Sequence, residues 1–306
     1  MMLQIDGSPH DWLEGRGPRL TLIGAKDDAI GFVWARFEEA ETTWGYMNLM
    51  RDVFLSKGLP LSLYSDRHTI FHSPKEPTIV EQINNIKPLT QFGRAMEEMG
   101  ITLIKAWSAP AKGRIENQWK TFQDRLVVEL RLAGAKTREE ANRVLEWFLK
   151  DYNHRFCVVA RKQEPVFRQP PSPSQIDRIL CLKETRTVAK DHTISFEGLI
   201  LQIPPSKKFH SIARQKVQVL QLKDGSVEIV YKQQPVAKFG SEAITRMITQ
   251  NRNDESQMKI VVPGGCHTMA PFEKTQPRPF LKAAFAEKET FLPMNKKNAL
   301  TFSLSS

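Results

Sequence analysis

The sequence has little cysteine and no long run of apolar residues. Its 306 residues include three cysteines, Cys157, Cys181 and Cys266, an odd number without metal-ligand spacing. This usage favours a reducing compartment, because disulfide-stabilised secreted domains use cysteine in pairs. No stretch approaches the roughly 18 consecutive apolar residues of a membrane-spanning helix, and the first residues lack the basic and apolar regions of a signal peptide. We therefore expect a cytoplasmic protein with no membrane partner.

Basic charge is in excess only in the second half of the sequence. The formal net charge is +10 at pH 7. Residues 1–160 are neutral overall, whereas residues 161–240 carry a net charge of +7 and residues 241–306 carry +3. Such asymmetry is typical of a protein that binds a polyanion such as nucleic acid. A surface charge that only keeps the protein soluble would explain the same numbers, and composition leaves both explanations open.

The first 160 residues alternate apolar strand patterns with amphipathic helix patterns, which predicts an α/β domain. A capping-box pair, Thr137 with Glu140, marks the start of the last helix. Three prolines predict a long loop between the fourth strand and the next helix, over residues 67–88. The predicted strands are 2–6, 19–27, 31–37, 59–66 and 101–107, and the predicted helices are 42–58, 89–100, 111–134 and 137–156.

The second half has a different pattern. Residues 161–176 are rich in proline and predict a linker. Short β-type runs with Gly-containing turns follow over residues 177–240, which predicts a small antiparallel barrel or sandwich. Residues 241–306 are polar without clear periodicity, so we expect a partly disordered tail that contains one helix over 241–250.

Three acidic residues occupy related places in the α/β pattern. Asp6 ends the first predicted strand, Asp66 ends the fourth, and Glu116 lies early in the helix after the fifth. Clustered carboxylates repel each other, but they become favourable ligands for a hard cation such as Mg²⁺. Two such ions stabilise the attacking and leaving oxygens of a phosphoryl displacement. The trio therefore predicts a metal site for phosphodiester chemistry.

Each carboxylate also has a simpler explanation when taken alone. Asp6 fits a turn, Asp66 fits a helix N-cap, and Glu116 fits an i,i+4 partner of Lys120. The order of the three residues on successive elements favours the metal site over three unrelated structural roles.

Basic residues accompany the predicted metal site. On the long helix, Ile115, Trp119, Phe122 and Leu126 share an apolar face, while Lys112, Glu116 and Lys120 share the adjacent face. We expect DNA phosphates to contact Lys112, Arg114 and Lys120 on this helix, and Arg67 and His68 beside Asp66. A surface or hydrogen-bonded histidine is the alternative for His68.

Four motifs in this order resemble the catalytic core of DDE transposases and retroviral integrases, over roughly residues 3–168. The motifs are LQIDGSPHDWLEG, LYSDRHTIF, LTQFGRAMEEMGI and AKGRIENQWKTFQDRLVVELRL, and they are most similar to bacterial insertion-sequence transposases of the ISNCY type. The resemblance implies a ribonuclease H-like α/β fold, with a mixed five-stranded sheet and flanking helices, plus a small C-terminal β-barrel domain. It also implies that Asp6, Asp66 and Glu116 are catalytic and hold two Mg²⁺ or Mn²⁺ ions.

The same resemblance implies DNA strand transfer, in which water and then a DNA 3′-hydroxyl attack phosphodiesters. The implied partners are transposon-end and target DNA, bound by a homo-oligomer in the bacterial cytoplasm or nucleoid. The sequence departs from the family pattern in two ways: no helix-turn-helix segment precedes Asp6, and Asn117 and Trp119 alter the surroundings of Glu116. A truncated or inactive remnant that only binds DNA, and a structure-selective nuclease, are therefore the alternative hypotheses.

Overall fold

A mixed five-stranded sheet forms the centre of the first half of the molecule. A computed structural model describes residues 1–84, 87–106, 113–159, 167–205, 208–245 and 260–261. The strands are β1 (Met2–His10), β2 (Leu20–Asp27), β3 (Val33–Glu38), β4 (Ser62–Ser65) and β5 (Thr102–Lys105). They lie in the order β3-β2-β1-β4-β5; β1, β2 and β3 are antiparallel neighbours, and β4 and β5 run parallel to β1. This is the ribonuclease H-like arrangement, and it confirms the predicted α/β fold.

Helices begin where short polar side chains cap them. The helices are α1 (Thr43–Ser56), α2 (Ile79–Ile83), α3 (Gln91–Glu98), α4 (Gly113–Leu132), α5 (Arg138–Phe156) and α6 (Pro173–Ile179). Thr42 and Thr90 accept backbone hydrogen bonds from the first turns of α1 and α3, and Thr137 with Glu140 forms the predicted capping box of α5. None of the helices in the described ranges has the length and apolar character of a membrane span.

Two apolar layers cover the two faces of the sheet. Alternate residues of a strand point to opposite faces. Leu3 and Ile5 of β1 belong to the layer formed with α1 and α3, whereas Leu20 and Leu22 of β2 belong to the layer formed with α4 and α5. Both faces of the sheet are therefore covered, and the second layer fixes α4 over the sheet.

Two asparagines of α5 cover the outer edge of β3. The amide of Asn142 bonds both the N–H and the C=O of Phe37, at 2.9 and 3.0 Å. The amide of Asn153 does the same for Val33, at 2.9 Å for each bond. Side chains thus satisfy backbone groups that an edge strand leaves unpaired.

The second half forms two smaller sheets around one apolar core. An antiparallel sheet has the order β11-β10-β9-β6, with β6 (Leu182–Thr187), β9 (Lys216–Gln221), β10 (Val227–Tyr231) and β11 (Gln234–Phe239). A second sheet joins β7 (Thr193–Phe196) to β8 (Leu199–Gln202), which pairs in parallel with β12 (Ile260–Val261). The described strands form two sheets and not one closed barrel, so the predicted β-barrel is not confirmed.

The segment predicted as a linker makes defined contacts with the first half. Arg168 forms an isolated β-bridge with Leu59, and α6 begins at Pro173, where proline is favoured in a first turn. Arg51 of α1 pairs with Asp177 of α6 at 2.5 Å. The predicted helix over 241–250 is helical at 241–245, and its remainder lies outside the described residues. Strand β12 lies within the segment predicted as a tail.

Candidate active site

The pairing of β1 with β4 brings Asp6 and Asp66 together. These parallel strands align Leu3 with Leu63 and Gln4 with Tyr64. Two residues further in the same register, Asp6 lies beside Asp66, which directly follows the last residue of β4. Both carboxylates are half-buried. The sequence predicted that the first strand ends at Asp6, but β1 continues to His10, so Asp6 lies within its strand, whereas Asp66 directly follows β4.

The indole of Trp119 holds Asp6. Trp119 Nε1 donates a hydrogen bond to Asp6 Oδ2 at 3.1 Å. The same ring lies over Gly24, the cross-strand partner of Asp6. A Cβ atom at Gly24 would lie 2.4 Å from Trp119 Cη2, so only glycine leaves room for the ring. Sequence analysis predicted that Trp119 packs on the sheet but did not find its bond to Asp6.

Asp66 shapes the loop that follows β4. Its Oδ1 accepts a hydrogen bond from the backbone N–H of His68 at 2.9 Å, which makes an Asx turn. The imidazole Nδ1 of His68 accepts a hydrogen bond from the Ile70 N–H at 3.3 Å. Asp66 thus stabilises a turn instead of capping a helix. His68 is an exposed, hydrogen-bonded histidine, which fits the alternative to a DNA contact given above. Arg67 is exposed at the start of the same loop.

His72 lies close to Asp66 and was not found by sequence analysis. Its Nε2 lies 3.1 Å from Ser65 Oγ, the residue before Asp66. Burial and the positive charge of Lys105 lower the pKa of His72, and the Asp66 carboxylate partly opposes them. The imidazole is therefore mainly neutral near pH 7.

Glu116 lies on α4, one turn before Trp119. Its side chain is exposed in the first turn of the helix, where the helix dipole favours an acidic residue. Lys120 is exposed one turn further along. Within the described ranges, no group of three or more His, Cys, Asp and Glu side chains lies close enough to hold a metal ion. The structure therefore brings Asp6 and Asp66 together but does not place Glu116 with them as a third ligand.

Two predicted DNA contacts cannot be located. Lys112 and the side chain of Arg114 lie outside the described residues.

A third carboxylate, Glu41, lies near the aspartate pair and was also missed. Glu41 precedes α1 and accepts a hydrogen bond from the Tyr46 hydroxyl at 2.6 Å. The pKa of Tyr46 is raised well above its usual value, first by burial and then by the negative charges of Glu41, Asp6 and Asp66. One buried hydroxyl thus lies within electrostatic reach of all three carboxylates. The only sequence signal was an acid just before the capping residue Thr42, which is common at helix starts.

The donor set around the aspartate pair fits a hard divalent cation. Mg²⁺ prefers oxygen ligands and often takes one or two carboxylates together with substrate phosphates. Asp6 and Asp66 provide two carboxylates on adjacent strands, held by Trp119 and by the Asx turn. Glu116 is on the neighbouring helix and would complete the trio.

The chain is similar to a putative transposase and to an insertion-sequence transposase, both from bacteria. It is 31% identical over 233 residues to the putative transposase y4bF of Sinorhizobium fredii (strain NBRC 101917 / NGR234), covering 76% of this chain and 50% of that protein. It is 32% identical over 234 residues to the transposase for insertion sequence IS1202 of Streptococcus pneumoniae, covering 74% of this chain and 48% of that protein. The chain thus spans about half the length of these relatives. No family model matches.

Solved retroviral integrases are more distant neighbours. The catalytic core domain of BIV integrase is 17% identical, with a TM-score of 0.35, and the match covers 57% of this chain and 91% of that one. A simian T-cell lymphotropic virus intasome in complex with PP2A regulatory subunit B56 gamma has a chain that is 11% identical, with a TM-score of 0.40 and 75% of each chain covered. The HTLV-2 integrase catalytic core in complex with magnesium is 14% identical, with a TM-score of 0.34, covering 47% of this chain and 81% of that one.

Proposed function

We propose that this chain, which belongs to the insertion-sequence transposases of the DDE transposase and retroviral integrase superfamily, contains the catalytic core of an enzyme that cuts and joins DNA strands. The observation that supports the proposal is the parallel register of β1 with β4, in which Gln4 pairs with Tyr64; the same register continued by two residues pairs Asp6 with Asp66. The two carboxylates can bind a divalent cation, which suits them to the phosphodiester chemistry of a transposase.

In this proposal Asp6, Asp66 and Glu116 hold two Mg²⁺ or Mn²⁺ ions. When bound, such ions lower the pKa of a coordinated water or hydroxyl and stabilise charge on the phosphate. The chain's own groups orient the ligands: Trp119 holds one oxygen of Asp6, and the Asx turn holds one oxygen of Asp66. In the first step, water attacks a phosphodiester and the 3′-hydroxyl leaves. In the second, that 3′-hydroxyl attacks a target phosphodiester and displaces another 3′-hydroxyl.

The basic side chains around the proposed site are assigned to DNA phosphates. Arg67, His68 and Lys120 are exposed in the structure, and Lys112 and Arg114 are assigned from their places in the sequence. A cation in such a position orients the backbone without reading the bases.

The second half is assigned to DNA binding. Residues 161–240 carry a net charge of +7, of which +5 lies in the β-rich segment 177–240, and the sheets of this segment share one apolar core. We assign transposon ends and target DNA as partners, with a homo-oligomer assembled on DNA in the bacterial cytoplasm or nucleoid. Binding of this kind weakens steeply as salt is raised, because each neutralised phosphate releases counterions.

The test uses the purified chain, Mn²⁺ and duplexes that carry the ends of the source element. The wild type is expected to nick the duplex and join the new 3′ end to a second duplex. Asp66→Asn is expected to lower both activities by about a hundredfold or more, since the lost metal contact is worth several kcal/mol. The matched control is Asp52→Asn, an exposed aspartate of α1 that pairs with Arg36 at the surface.

Three results would contradict the proposal. Full activity of Asp66→Asn would remove the assignment of that residue. Salt-sensitive DNA binding without any nicking by the wild type would favour the DNA-binding alternative, and nicking of branched or hybrid substrates without joining would favour a nuclease.

A further inference from the structure

The Glu41 carboxylate lies against the backbone of β1, next to Asp6. Gly7 follows Asp6 in the strand, and a Cβ atom built there would lie 2.9 Å from Glu41 Cδ, 3.0 Å from Oε1 and 3.1 Å from Oε2. The absence of a side chain at Gly7 therefore creates the space that this carboxylate fills. Glu41 belongs to the segment before α1, so this contact joins the start of α1 to the part of β1 that carries Asp6.

Tyr46 fixes the carboxylate in this place. The tyrosine is fully buried, and its ring makes edge contacts with Phe71 and Phe92, at centroid distances of 4.7 and 6.1 Å. Its hydroxyl donates to Glu41 Oε1 at 2.6 Å, the short distance of a charge-assisted hydrogen bond. Because burial and the nearby carboxylates disfavour the phenolate, Tyr46 keeps its proton and remains a donor.

We propose that Glu41 is a positioning residue of the proposed active site: it holds β1 in place at Gly7, next to Asp6, from the opposite face of the strand, and it adds negative charge within electrostatic reach of Asp6 and Asp66. The inference rests on the proposed function, since it assumes that the two aspartates bind a divalent cation. A carboxylate near a metal site raises its affinity for the cation without ligating it, and loss of such supporting residues typically costs about 10- to 100-fold in metal affinity. Glu41 has the charge, the fixed position and the proximity for this role.

The experiment measures Mn²⁺ binding to the full chain by electron paramagnetic resonance of the free ion, without DNA. We expect Glu41→Gln to weaken Mn²⁺ binding by about tenfold and Glu41→Asp to restore part of the loss, because aspartate keeps the charge. Tyr46→Phe should weaken binding less than Glu41→Gln, because the charge remains but its anchor is lost. The matched control is Glu39→Gln, an exposed glutamate two residues before Glu41, and it should bind as the wild type does.

Asp6→Asn separates the failure of this inference from the failure of the proposed function. If Asp6→Asn weakens Mn²⁺ binding but Glu41→Gln does not, the role of Glu41 is overturned and the proposed site stands. If the wild type binds no Mn²⁺, or if Asp6→Asn binds it unchanged, both fail. A Glu41→Gln variant with a lower melting temperature and unchanged Mn²⁺ affinity would mean that Glu41 only stabilises the fold.

Discussion

Replacement of Asn153 by alanine tests how the outer edge of the sheet is stabilised. Asn153 is 8% exposed, and its amide makes two bonds of 2.9 Å to the N–H and C=O of Val33, which is 1% exposed. The Asn153→Ala change removes the hydrogen-bond partners of both Val33 backbone groups, and the alanine side chain has no polar atom to replace them. A buried polar group without a partner costs about 1–3 kcal/mol, so two such groups should lower the free energy of unfolding by about 2–6 kcal/mol.

Asn142 provides the matched comparison on the same helix. It bonds both backbone groups of Phe37, which is as buried as Val33, but the Asn142 side chain itself is half-buried, so its removal opens these groups to water. Asn142→Ala should therefore cost about 1 kcal/mol, the net value of ordinary hydrogen bonds.

Urea unfolding followed by circular dichroism gives both values from the midpoint at an unchanged m-value. Two results would refute the reasoning: a loss below about 0.5 kcal/mol for Asn153→Ala, within the range of neutral surface changes, or equal losses for the two variants.

Three further variants or probes test other contacts. Trp119→Phe keeps a ring over Gly24 but removes the hydrogen-bond donor to Asp6. Urea titrations should therefore show a free energy of unfolding that is lower by about 1–2 kcal/mol. An unchanged free energy of unfolding would show that the hydrogen bond contributes nothing to stability. Burial acts to raise the pKa of Glu98, but hydrogen bonds from Lys183 and Arg94 outweigh it and lower that pKa. The stability this carboxylate contributes is thus present above its unfolded pKa of about 4.3 and is lost as pH falls through the lower folded value. In urea titrations, the Glu98→Gln variant should have a lower free energy of unfolding than the wild type at pH 7, and this difference should shrink near pH 3. A difference that does not change with pH would contradict the argument. Burial raises the pKa of Cys181 to about 11. Iodoacetamide at pH 7.5 should therefore leave this thiol unmodified in the folded chain, because the thiolate is the reactive form. Equal alkylation of folded and urea-unfolded protein, measured by peptide mass spectrometry, would contradict this prediction.

The sequence predicts the elements of the first half because local signals and periodicity agree there. Thr137 with Glu140 predicts the start of α5, and the structure has that capping box. The end of β4 before Asp66 also follows from an apolar run that stops at an acid, whereas β1 continues four residues past Asp6, to His10. The alignment of Asp6 with Asp66 needs only that β1 and β4 be parallel neighbours, which the alternation of strands and helices makes probable in an α/β fold.

Contacts between distant side chains do not follow from the sequence. The bond from Trp119 to Asp6 joins residues 113 positions apart, and its existence depends on the rotation of α4 over the sheet. Glu41 gives no pattern of its own, because an acid before a helix is usually explained by the helix dipole. The pairing of β12 with β8 is likewise non-local, and the strand pattern, which predicted a barrel or a sandwich, does not decide how the strands divide between the two sheets.

The geometry around Asp6 is set by packing as much as by charge. Gly24 is the register partner of Asp6 on β2, and the indole that donates to Asp6 occupies the volume a side chain would take there. A Cβ at Gly24 would also lie 2.9 Å from the carbonyl oxygen of Trp34, a backbone atom that cannot move aside cheaply. Alanine at this position must therefore displace Trp119, and with it the donor to Asp6 and the turn of α4 that carries Glu116. Gly7 and Gly24 thus act in the same way: each leaves room for a side chain from another element, Glu41 or Trp119, which packs against the part of the sheet that carries Asp6.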